Sequence, residues 1–149
     1  MRLVLFSGTH PRHLFINKKI LKFFDDVLVI VMEREHLLPE PPNYINDSDK
    51  KLFVRHFKNR NLVETSVYGK LEVKKVFKEC KIINVQPNKL NNADIASSIT
   101  KFNANFCFIF GVNLILDPIL SILPTNKINL HLGLSPWYKG GATLYHPFY

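Results

Sequence analysis

Five short apolar runs, each closed by charged, proline or glycine residues, set the rhythm of the chain. They are RLVLFS (Arg2 to Ser7), DVLVIVM (Asp26 to Met32), KIINV (Lys81 to Val85), NFCFIFG (Asn105 to Gly111) and KINLHL (Lys127 to Leu132). Runs of this length, rich in Val, Ile, Leu and Phe, read as strands. Between them the apolar positions change to helical spacing. GTHPRH is a turn with Pro11 near the start of a helix reaching about Phe24. The proline-rich stretch Leu37 to Ser48 is a loop, after which Asp47, Ser48 or Asp49 caps a helix through Leu52, Phe53, Val54 and Phe57 that extends past Asn61. Its polar side carries Lys50, Lys51, Arg55, Lys58 and Arg60. QPNKLNNA is a loop before a helix of roughly Asp94 to Phe102, and DPILSIL (Asp117 to Leu123) is a short helix. There is no internal repeat and no low-complexity tract.

Strands that are continuously apolar, rather than alternating, belong to a parallel sheet covered on both faces. Alternated with helices, they predict an α/β fold: a doubly wound, mostly parallel, Rossmann-like sheet of order 3-2-1-4-5. Ligands bind such sheets at the C-terminal ends of the strands, beside the switch point between the first and fourth. Three of those endings are polar or glycine-rich: Ser7-Gly8-Thr9-His10, Gly111-Val112-Asn113 and His131-Leu132-Gly133-Leu134-Ser135-Pro136. All three should open on one edge, so the expected site is built from three loops.

Composition narrows the class. At 149 residues the chain has room for one domain, and 46% hydrophobic with 21% charged residues is a soluble globular balance. The longest apolar runs are too short to span a bilayer and no signal peptide is visible, so no membrane partner and a cytoplasmic location are expected. Cys80 and Cys107 both adjoin apolar runs and no CxxC exists, which reads as free buried thiols. The formal charge of +8 comes from scattered lysines, read first as a solvated surface and second as local attraction to an anionic substrate. No nucleic-acid motif accompanies the charge, so nucleic acid is not the expected partner. Self-association is left open.

The fifth run carries the chemistry. In a strand Asn129, His131 and Gly133 share one face while Ile128, Leu130 and Leu132 take the other, expected to be buried. Polar side chains in a buried strand must be paired, so Asn129 and His131 form either a structural network or a working site, and their place before a Gly-x-Ser-Pro turn favours the site. In SGTHPRH, Gly8 permits a tight turn and the N–H groups of the helix start attract anions, so Arg12 with His10 or His13 forms a candidate phosphate grip. No third ligand accompanies the two histidines, so no metal is expected. One glycine stands where a nicotinamide-binding turn wants three.

INLHLGLSPWYKGG resembles the signature of the folate-dependent formyltransferases: an Asn-x-His strand, a Ser-Pro turn and a basic residue followed by glycines. FIFGVNLILDPILSILP is similar to the segment forming the folate pocket there, so the likeness covers Asn105 to Gly141 and is looser over Met1 to Phe24. It implies an N-terminal catalytic domain over residues 1–149 that transfers a formyl group from 10-formyltetrahydrofolate to a primary amine of a small molecule. Asn129 would donate to the formyl oxygen, and His131 would assist that charge or carry a proton. Gly111, Val112, Asn113, Leu114, Ile115 and Leu116 would hold the folate through backbone groups, with Ile115 and Leu116 as apolar walls, the bland reading being helix-start packing. Gly8, Thr9, His10, Arg12 and Ser135 would lie on the substrate side. The methionyl-tRNA enzymes have a Gly-Thr-Pro-Asp-Phe turn where this chain has Gly8-Thr9-His10-Pro11, which points to a small amine such as an amino-sugar nucleotide. The resemblance puts the family's catalytic Asp beyond Tyr149, so the chain reads as a shortened form of a formyl-transfer enzyme, with activity expected to suffer from the loss of that residue. Two alternatives stand: a formyltetrahydrofolate hydrolase, and a folate- or nucleotide-binding module without turnover.

Overall fold

The computed structural model describes residues 1–33, 40–133 and 137. Its five strands are β1 (Arg2–Ser7), β2 (Asp26–Met32), β3 (Lys81–Val85), β4 (Phe106–Phe110) and β5 (Asn126–Asn129). They form one parallel sheet of order β3-β2-β1-β4-β5, as the apolar runs predict. Five helices are described: α1 (Pro11–Ile20), α2 (Asp47–Tyr68), α3 (Val73–Val76), α4 (Ala93–Phe102) and α5 (Ile119–Ile122).

Pleat alternation divides the apolar side chains between two cores. Val4, Phe6, Leu28, Ile30 and Met32 face α4 and α5, where Ile95, Ile99, Phe102, Ile119 and Leu123 cover them. Leu3, Leu5, Val27, Val29 and Val31 face the other way, against Leu14 of α1 and Val76 and Phe77 beside α3. Burial on both faces is why β1 and β2 carry no polar alternation.

Two helix boundaries differ from the sequence reading, and the end of α2 lies past Asn61 as expected. α1 stops at Ile20 and tightens into a 3-10 turn over Leu21–Phe23. The cap of α2 is Asn46, whose Oδ1 accepts the Asp49 N–H at 2.9 Å while its Nδ2 donates to Asp49 Oδ2 at 2.8 Å. α2 runs on to Gly69, which takes φ +80° as its C-terminal stop.

The larger correction concerns the fifth strand, which ends at Asn129 and is exposed at every residue. Ile128 is 60% exposed, and Leu130 and Leu132 are exposed too, so the face expected to be buried is open to solvent. β5 lies at the sheet edge, and α5, only four residues long, places Ile119 in the core shared by β1, β2 and β4, which among the described residues includes none of β5. Both cysteines are free, Cys107 buried and Cys80 half-buried. Among the described residues no helix is long and apolar enough to cross a membrane.

Candidate functional site

Because the strands are parallel, the loops after β1, β4 and β5 open on one edge, as expected. The first two are joined: the Gly8 N–H donates to the Phe110 carbonyl at 3.0 Å, prolonging the β1–β4 ladder. Beyond it the two glycines bracket a side chain. A Cβ at Gly8 would collide with the Gly111 carbonyl and the His13 ring, and a Cβ at Gly111, where φ is +80°, would also collide with His13. The His13 imidazole thus fills the switch point itself. It packs edge-on against Phe110, with ring centres 4.5 Å apart, and against His10 at 5.4 Å.

This placement redefines the SGTHPRH stretch. His10 and His13 are buried, and Arg12 ion-pairs with Glu64 of α2. Pro11 brings no N–H to the helix start, and the His13 and Leu14 N–H groups both donate to the His10 carbonyl. These groups, read as a phosphate grip, are engaged within the fold. Below them, buried Asn17 donates through Nδ2 to Ser7 Oγ at 2.7 Å, and the Ser7 hydroxyl donates in turn to the Gly8 carbonyl at 2.8 Å.

The loop after β4 is held by a residue that the sequence reading did not single out. Asn91 Oδ1 accepts the Leu116 N–H at 2.8 Å, and its Nδ2 donates to the Leu114 carbonyl at 3.1 Å. The Asn113 N–H points to Met32 Sδ at 3.4 Å, tying the loop to the end of β2. Two backbone groups expected to serve a pterin are therefore taken by Asn91. Ile115, expected as an apolar wall, is buried in the core beside Ile119, whereas Leu114 is 75% exposed and Leu116 also faces out. Residues 112–116 have no regular secondary structure and α5 begins only at Ile119, so the inward turn of Ile115 is a matter of loop packing.

Asn129 closes β5 opposite Ile109, and the Leu130 N–H bonds the Ile109 carbonyl at 2.9 Å, extending the ladder one residue further. Asn129 is the last residue of the strand and His131 follows two residues later on the same edge of the sheet. Asn129 is exposed and His131 half-buried. His131 Nδ1 lies 3.1 Å from the Gly133 carbonyl. A carbonyl only accepts, so Nδ1 is the donor in this contact. Ser135 lies outside the described residues. A polar concavity of about 360 Å³ opens on the same sheet edge beside Asn91, lined by Glu33, Asn84, Gln86, Lys89, Asn92 and Asp94 among others. Among the described residues no three His, Cys, Asp or Glu side chains gather as a metal site.

The fold and the polar strand end define a doubly wound α/β domain with its candidate chemistry on the C-terminal edge. No protein-family model matches the chain. No curated protein matches it in sequence. Among solved structures it is similar to phosphoribosylglycinamide formyltransferase from Anaplasma phagocytophilum, with a TM-score of 0.53 and 14% identity over 99% of this chain and 57% of that one. The chain thus spans little more than half the length of that structure, and the likeness is one of fold.

Proposed function

We propose that this domain takes part in transfer of a formyl group from 10-formyltetrahydrofolate to the primary amine of a small substrate, an amino-sugar nucleotide being the class that its first turn favours. The carrying observation is the Asn129-x-His131 pair at the end of β5, on a fold shared with a formyltransferase. The exposed Leu114 and Leu116 side chains on the Asn91-clamped loop fit the apolar face of a pterin. When bound, the folate supplies the one-carbon unit. The Asn129 carboxamide donates to the formyl oxygen as negative charge grows there, a contact worth about 3 kcal/mol. His131 would take up the proton that the attacking amine must lose, and the formyl C–N10 bond would break with a proton delivered to N10 of the departing tetrahydrofolate. The polar concavity beside Asn91 offers donors and acceptors to the hydroxyl-rich part of the substrate.

Thermal denaturation with 5-formyltetrahydrofolate tests this reading. A hundredfold excess over Kd should raise Tm by about 5 to 10 °C. A panel of amino-sugar nucleotides should add a further rise, and formate release without an amine would identify hydrolysis instead. No shift with the folate overturns the proposal.

A further inference from the structure

α2 runs for 22 residues without burying one of them. One side meets α1 through the Arg12–Glu64 ion pair and the Phe15–Tyr68 ring contact, with centres 5.1 Å apart. On the opposite side Lys51, Arg55, Lys58 and Leu62 follow one another at steps of four, three and four, which aligns them in a single seam along the helix. All four are exposed.

Charge on this seam is one-sided. No acidic residue occurs from Lys50 to Val63. Lys50 lies 3.5 Å from Asp47, and Arg60 3.6 Å from Glu64. Among the described residues no ion pair reaches Lys51, Arg55 or Lys58. These three cations flank Val54 on one open face of the helix. Lys51, Val54, Arg55 and Lys58 stand at i, i+3, i+4 and i+7, the four positions that form the hole for a knob from a facing helix. One turn further, Leu62, Val63 and Val67 are 68%, 60% and 66% exposed.

We propose that this face of α2 docks an acidic amphipathic helix of a partner protein. An apolar side chain of that helix enters the hole over Val54, carboxylates on either side of it meet Lys51, Arg55 and Lys58, and the partner's apolar seam continues over Leu62. A second copy of this chain would bring the same cations into opposition, which repels. A phosphodiester backbone would neutralise the cations and leave Val54 and Leu62 in water. A helix with both carboxylates and apolar knobs satisfies both halves of the seam.

The test uses the whole 149-residue chain and a fluorescein-labelled synthetic helix of about 21 residues, with leucines at four-three spacing flanked by glutamates. Its comparators are the same peptide with lysine for glutamate, an oligouridylate and phosphatidylserine vesicles. By anisotropy the acidic helix should bind at least about tenfold tighter than the basic one and weaken between about 50 and 200 mM salt. The K51E/R55E/K58E chain should reverse that preference. Val54→Lys, which fills the hole without touching the core, should lose at least about tenfold in affinity with Tm and circular dichroism unchanged. Absence of saturable binding, an unreversed preference in the charge-swapped chain, or tighter binding of the oligouridylate or the vesicles would each overturn the proposal.

Discussion

The imidazole of His13 on α1 occupies the space that a side chain at Gly111 would need, at a backbone φ of +80° where non-glycine residues are strained. The end of β4 and the start of α1 are therefore one packing unit. Gly111→Ala should cost about 2 to 5 kcal/mol, from a left-handed penalty of about 1 to 2 and overpacking of about 1 to 3. His13→Ala placed in the same chain relieves only the overpacking, so urea titrations of the double-mutant cycle should show a coupling of at least about 1 kcal/mol. Strictly additive losses would refute the contact.

Asn91 bridges two backbone groups of the β4 loop that lie more than twenty residues away in sequence. Asn91→Ala should cost about 1 to 2 kcal/mol and cut hydrogen-exchange protection at the Leu116 amide about tenfold or more. Asn91→Asp keeps the acceptor and should keep most of the Leu116 protection. Equal exchange in all three chains would show that the clamp does not order the loop.

Asn129 is exposed at the sheet edge, so its removal should separate chemistry from stability. Asn129→Ala should leave the unfolding free energy within about 0.5 kcal/mol of the parent and lower formyl transfer about 10² to 10³-fold. His131→Ala should lower the same step without a comparable loss of substrate affinity. Unaltered turnover in both variants would remove them from the catalytic step, and with it the main support for the proposed reaction.

Burial pushes the Cys107 thiol from its ordinary 9.0 up to about 12, with nearby Lys127 acting weakly in the opposite direction. The folded chain keeps this proton where the unfolded chain releases it. Its contribution to stability is therefore complete below about pH 9 and declines as pH rises toward about 12. Urea midpoints of the parent should fall more steeply between about pH 8 and 10 than those of Cys107→Ala, whatever the cavity costs at neutral pH. Parallel slopes for the two chains would contradict a protonated, buried thiol.

How far local pattern reaches is visible in particular elements. β1, β2 and β3 begin and end where their apolar runs do, because those runs are bounded by residues that resist a buried ladder. The helix from Asp47 is longer than its apolar residues require, since Asn46 and Gly69 close its ends. Leu114 and Ile115 are adjacent and both apolar, yet one is exposed and the other buried. Nothing in their identities distinguishes them; the direction of the chain after Gly111 does. Asn91 sat unremarked in a polar loop because its partners, Leu114 and Leu116, are brought to it only by the β3-α4-β4 crossover.

From the order of its residues alone this chain determined a parallel five-stranded sheet, its 3-2-1-4-5 order and the edge on which Asn129 and His131 emerge. Apolar periodicity and connection length specify those features locally, because they record which side chains must leave water. Only the tertiary structure decided that β5 is left uncovered, that His13 fills the switch point and that Arg12 turns to Glu64. Each of those depends on which distant element comes to rest against a given side chain, and a short stretch of residues carries no record of its neighbours in space.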